Sequence, residues 1–161
     1  MIRPAQPGDV AGIAAIWNPM IRDSAATFNS VEKTADDVRA MIAERAALGF
    51  CTLIAQQAGA VLGFASYAQF RGGVGYARTM EHTVMLAPGA QGRGLGRALM
   101  TGVEDHARVG GAFSIFAGVS SGNPDGIAFH ARLGYAEVAV LRQVGWKFGQ
   151  WFDLHLLQKT L

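Results

Sequence analysis

Hydrophobic positions change period several times along the chain, and each change marks an element. Val10, Ile13, Ala14 and Trp17 recur at three- and four-residue intervals, which predicts a helix from Gly8-Asp9 to about Met20, after a short strand over residues 2–5. Residues 21–30 have no period and read as a loop. Thr34 precedes Asp36 and Asp37, a capping residue with acids in the first turn, so a second helix runs through Val38, Met41, Ile42 and Arg45 and stops at Gly49. Strands over 51–56 and 61–70 flank an Ala58-Gly59 turn. A glycine-rich loop (71–75), a long strand (76–86) and a turn-rich loop (88–94) follow. Leu95, Leu99, Val103 and Ala107 share one face of a helix over 95–109. A strand over 114–119 leads to Asn123-Pro124, a cap with proline at the first helical position, and that helix ends at Gly134. The last strands cover 136–144 and 151–159. The pattern predicts one domain, residues 1–161, of mixed α/β (α+β) class built on a mixed sheet.

Composition narrows the functional classes. The chain has 161 residues, 50% hydrophobic and 16% charged, enough apolar surface for a core and too little charge for a disordered chain. The net charge is +2, and the cations are scattered from Arg3 to Lys159. A nucleic-acid binder concentrates them on a stripe, so no nucleic-acid partner is expected. Cys51 is the lone cysteine, so no intramolecular disulfide and no Cys-rich metal site is expected. Spacings such as His-Glu-x-x-His are absent, and no metal is expected. The start Met1-Ile2-Arg3-Pro4 lacks the apolar stretch of a signal peptide and no segment has the length of a span. A cytoplasmic location without a membrane partner is the expectation.

The most informative segment is Gln91-Gly92-Arg93-Gly94-Leu95-Gly96-Arg97, between a strand and a helix. Glycines allow tight turning and close approach to a ligand, and the helix N-terminus supplies unpaired N–H groups and the positive end of the dipole. Together these suit a pyrophosphate, with Arg93 and Arg97 at the rim; a flexible turn before an ordinary helix is the other reading. A Walker A ending is missing, and a dinucleotide fingerprint would need a glycine where Arg97 stands.

The spacing Gln91-x-x-Gly94-x-Gly96 resembles the coenzyme A loop of the GCN5-related N-acetyltransferase (GNAT) superfamily, and Asn123 to Gly134-Tyr135 resembles its C-terminal helix. Within it, Gly63 to Phe70 with Arg71, Glu81-His82-Thr83-Val84, His130 to Tyr135 and Val144 to Trp151 resemble the phosphinothricin and methionine sulfone/sulfoximine acetyltransferases. The resemblance covers nearly the whole chain. It implies a mostly antiparallel, twisted sheet of about seven strands flanked by about four helices. It also implies acetyl-CoA as co-substrate, a small amine acceptor and a homodimer.

Site roles follow from residue chemistry and from that resemblance. Glu81, partly buried among Met80, Val84 and Met85, is the expected general base, its pKa raised by burial; pairing with Arg78 is the alternative. His130 stands where the resemblance places a group serving the leaving sulfur, and a structural hydrogen bond is the alternative. His82, His106 and His155 have weaker claims. Val84, Met85 and Leu86 are expected to pair with the pantetheine arm, and the resemblance implies a bulge on their strand aiming an N–H at the thioester oxygen. Asn123 caps its helix, bonds the pantetheine amide, or both. Arg71 and Arg78 suit an acceptor carboxylate or oxyanion, or are merely solvated. By resemblance, Thr27 and Phe28 contact the acceptor. Trp146, Lys147 and Trp151 line the site or form a core or dimer contact. Acceptors open at this stage are an amino-acid analogue, a protein N-terminus or a polyamine; a catalytically silent CoA-binding module is the non-enzymatic reading.

Overall fold

A computed structural model describes residues Met1–Leu161. Seven strands form one sheet: β1 (Ile2–Pro4), β2 (Thr52–Gln57), β3 (Ala60–Gln69), β4 (Thr79–Leu86), β5 (Ser114–Ser120), β6 (Ala136–Lys147) and β7 (Gln150–Thr160), in the order β1-β2-β3-β4-β5-β7-β6. All neighbours are antiparallel except β4 and β5, which are parallel. The helices are α1 (Val10–Asp23), α2 (Ala35–Ala47), α3 (Leu95–Val109) and α4 (Pro124–Arg132).

Side-chain alternation on the strands builds two cores. Leu53 and Ala55 of β2 face Leu99, Met100, Val103 and Ala107 of α3, whereas Ile54 between them packs with Val10, Ile13 and Ile16 of α1 and Val38 of α2. On β4, Met80 and Val84 join the α3 side and Met85 the α1–α2 side. His82 therefore projects toward α3 and α4, and Glu81 and Thr83 toward α1 and α2.

Element ends differ from the sequence expectation for local reasons. α1 continues through Pro19 to Asp23, because Ile21 in its last turn is buried, at 1% exposure. The packing of that turn outweighs the hydrogen bond that proline cannot make. β4 starts at Thr79 rather than Tyr76. Gln69 Nε2 donates to the carbonyls of Arg71 and Gly73, Gly73 takes φ 101°, and residues 74–76 coil into a 3-10 turn. β6 and β7 extend to a two-residue turn, Phe148-Gly149, with positive φ at both positions, the geometry a tight hairpin requires.

Gly63 on β3 is a close contact to β4: a Cβ there would lie 2.5 Å from Leu86 Cδ2 and 2.9 Å from the Met85 carbonyl oxygen. Gly63→Ala is expected to cost about 1–3 kcal/mol, since backbone cannot yield as a flexible side chain does. Thermal unfolding should show a midpoint lower by several degrees (about 2–4 °C per kcal/mol); an unchanged midpoint would contradict this packing.

Candidate active site

β4 and β5 pair at only three positions, Thr79↔Ser114, Met80↔Ile115 and Glu81↔Phe116. Beyond Glu81 they separate, although β4 runs to Leu86 and β5 to Ser120. A cavity of about 870 Å³ occupies the wedge. Thr83, Val84, Met85 and Leu86 line one side and residues 117–120 the other. The bulge implied on β4 is not present on its β3 side: the register runs without a shift from Gly63↔Leu86 to Gln69↔Met80. The open backbone groups arise instead because β5 turns away, leaving one edge of β4 without a strand. Such an edge can take an extended ligand by strand addition.

The glycine loop closes one end. Gln91, Gly92, Gly94, Leu95, Gly96 and Arg97 all line the cavity. Gly94 is the N-cap of α3, with left-handed φ 76°, and no side chain caps that helix. The first α3 amides are therefore open donors at the positive end of the dipole. Gly96 has a different task from the others: a Cβ there would lie 3.1 Å from the Phe129 ring, so it lets α3 pack closely against α4. Arg93 is outside the lining and donates to the Gln57 side chain.

Asn123 Oδ1 accepts from the Gly126 amide at 3.0 Å, the cap expected from sequence, and Asn123 also lines the cavity. His130 on the same helix is buried. Its Nδ1 lies 2.7 Å from the Gly126 carbonyl, which can only accept, so Nδ1 holds the proton. Nε2 then carries a lone pair, without a partner. Burial lowers the His130 pKa, against smaller opposing effects of the Gly126 bond and Glu104. The ring thus rests as a neutral hydrogen-bond acceptor at Nε2 and makes a structural hydrogen bond at Nδ1, where sequence alone left service to the sulfur and a structural bond as alternatives.

His82 is the residue that sequence reasoning undervalued. It lines the same cavity, its ring centroid is 5.0 Å from that of His130, and neither of its nitrogens has a partner. Burial, helped by His130, lowers its pKa to about 3. Its ring resonances are expected to show no titration from about pH 5 to about pH 8, the range in which an ordinary imidazole ionises. A His82 midpoint inside that range by two-dimensional NMR would contradict the burial described. The two-residue alternation on β4 was the available signal, since it puts His82 opposite Glu81.

Glu81 sits at the apex of the wedge on the α1–α2 face. A Cβ at cavity-lining Gly118 would be 2.9 Å from Glu81 Oε1, so the glycine opens the cavity toward the carboxylate. Burial raises the Glu81 pKa, partly offset by Arg45 of α2. Glu81 forms no ion pair, with Arg78 or any other residue. The acceptor-side expectation divides. Thr27 and Phe28 line the cavity with Ala26 and Met20, whereas Arg71 and Arg78 are exposed and outside it. Arg71 lies over the Tyr76 ring instead. No three His, Cys, Asp or Glu side chains converge as a metal site, and no helix is long and apolar enough to cross a membrane.

Comparison with known proteins agrees with this geometry. The model of the acetyltransferase (GNAT) family matches residues 17–135, and the chain belongs to that family. It is an N-acetyltransferase by that membership and by its relatives. It is 38% identical over 160 residues to the L-amino acid N-acyltransferase MnaT of Escherichia coli, covering 99% of this chain and 93% of that one. It is equally identical to the L-methionine sulfoximine/L-methionine sulfone acetyltransferase of Salmonella typhimurium, covering 99% and 94%. Among solved structures, a ribosomal-protein-alanine N-acetyltransferase from Brucella melitensis superposes with a TM-score of 0.96 at 35% identity, covering 100% of this chain and 99% of that one. The Salmonella typhimurium yncA structure, solved with its cofactor acetyl-CoA, gives 0.95 at 37%, covering 100% and 93%.

Proposed function

We propose that this chain transfers an acetyl group from acetyl-CoA to the amino group of a small amino-acid-like acceptor, of the methionine sulfoximine, methionine sulfone or phosphinothricin type, in one ternary complex. The observation that carries the reading is the wedge: it runs from an uncapped helix N-terminus at one end toward the half-buried Glu81 carboxylate, just behind cavity-lining Gly118, at the other. Acetyl-CoA supplies the activated acyl group. The amides at 94–97 and Arg97 hold its diphosphate, and the free edge of β4 at Val84, Met85 and Leu86 holds the extended arm. Glu81, its pKa raised toward the working pH, takes a proton from the acceptor ammonium on the α1–α2 face. The amine so formed attacks the thioester carbon, the C–S bond breaks, and its electron pair leaves on sulfur. His130 Nε2 accepts a hydrogen bond from the thiol product or from a water beside it. The second proton that nitrogen sheds as the amide forms goes to water, and water supplies the proton that sulfur gains, since burial opposes the imidazolium.

Ala26, Thr27 and Phe28 form the lip against which the acceptor lies. With Arg71 and Arg78 outside the cavity, neither contacts the acceptor in this reading. A cytoplasmic homodimer fits the exposed apolar strip of Trp146, Phe148 and Trp151 on the β6–β7 hairpin, each more than half exposed. The test is thiol release from acetyl-CoA with a panel of methionine sulfoximine, methionine sulfone, phosphinothricin, a polyamine and an alanine-terminated peptide. Turnover with the first three supports the reading. Preference for the peptide or polyamine overturns the acceptor class, and binding of acetyl-CoA without turnover on any amine overturns the enzymatic role.

A further inference from the structure

Lys147 near the end of β6 is a buried cation without a carboxylate partner. Three fully buried residues carry a formal charge: Asp9 is bonded by Arg3 and Glu104 by Lys159, but Lys147, 3% exposed, has no carboxylate; its Nζ meets two carbonyls and lies 5.1 Å from the centroid of the Phe148 ring. Its Nζ donates to the Ser24 carbonyl at 2.6 Å and the Thr27 carbonyl at 2.8 Å. Desolvating an ammonium is costly, and an apolar side chain of the same length would fill the space without that cost. What the ammonium adds is direction, two charge-assisted bonds that fix where those carbonyls lie.

Those bonds matter because the lip has no others to the sheet. Ser24 Oγ donates to the Met20 carbonyl, the Ala26 amide to Ser24 Oγ, the Asn29 amide to Thr27 Oγ1 and the Val31 amide to Asn29 Oδ1. All are local. The remaining ties are packing: Phe28 stacks on Phe152 at 6.1 Å and covers Gly145, where a Cβ would lie 2.4 Å from its ring. Ser24 lies just before the stretch that lines the cavity, Ala26 to Phe28, and Thr27 lies within it.

We propose that Lys147 is a positioning residue for acceptor recognition: its ammonium, by holding the Ser24 and Thr27 carbonyls, sets where Thr27 and Phe28 stand along the cavity. The β6–β7 hairpin thereby governs acceptor selectivity from outside the reacting centre. The selectivity part rests on the acceptor lip described under the proposed function; the strut itself does not.

The test separates the two. In the wild-type protein, reductive methylation should modify Lys33 and Lys159 and spare Lys147. In Lys147→Met, amides at 24–31 should exchange with deuterium about tenfold faster while those of α3 are unchanged. The KM for methionine sulfoximine should rise about tenfold, with the KM for acetyl-CoA within about twofold. Lys147→Arg, which keeps charge and donors, should recover part of the loss. Methylation of Lys147 alongside Lys33, wild-type exchange at 24–31, or equal changes in both KM values would overturn the proposal. If the Met variant does not fold, Lys147→Gln, which keeps a donor without the charge, is read by the same exchange and KM measurements; wild-type exchange at 24–31 in it would also overturn the proposal. Absence of turnover in the wild type would sink the acceptor reading, and exchange would still decide the strut.

Discussion

Glu81→Gln lowers kcat by about 10²–10⁴-fold at neutral pH, the usual contribution of a positioned base, with the KM for acetyl-CoA nearly unchanged. The pH profile carries the sign. A base acts only when deprotonated, and burial raises the Glu81 pKa. In the wild type kcat/KM should therefore rise through an ionisation above the ordinary carboxylate range, and the Gln variant should lack that limb. Stability moves the other way. A carboxyl whose folded pKa is raised favours the fold while protonated and loses that contribution as pH climbs through the folded value. Above this window Glu81→Gln should unfold at the same temperature as wild type or higher. Lost turnover without lost stability separates a catalytic role from a structural one; wild-type turnover in the variant would remove Glu81 from the mechanism.

Gly94→Val should raise the KM for acetyl-CoA by about 10–100-fold, the loss expected when hydrogen bonds to a charged group are withdrawn. Gly94 sits at φ 76°, where a β-branched residue is strained, and it lines the cavity at the N-cap of α3. Nothing in the protein lies within 4 Å of a Cβ built there, so beyond the backbone strain the new side chain clashes with no protein atom and stands in the ligand's approach. Gly89 supplies the control. It has the same φ of 76° and equally open surroundings but does not line the cavity. Gly89→Val should share the backbone strain and leave the cofactor KM in place. If both variants raise it alike, strain in the loop and not the diphosphate contact is responsible.

Much of this was legible in the chain because the signals are local. Leu95, Leu99, Val103 and Ala107 mark the buried face of α3, and all but Leu95 are fully buried there. Thr34 and Asn123 cap the helices they precede, through their own side chains. What periodicity lacks is register and strand order. It could not show that β5 inserts between β4 and β7, or that it parts from β4 after Glu81, and that parting creates the cavity. Proximity in sequence also left exposure open. Arg71 and Arg78 lie within ten residues of Glu81, yet the 3-10 turn at 74–76 carries both to the surface. Conversely, Lys147 reaches Ser24 across 123 residues, a contact that no local pattern encodes.

The most direct measurement is a crystal structure with acetyl-CoA bound. The diphosphate should accept hydrogen bonds from the α3 amides at 94–97, and the thioester should lie between residues 83–86 and 117–120, within reach of the Glu81 side of the wedge. A diphosphate seated elsewhere, or a thioester outside the gap between β4 and β5, would contradict the account.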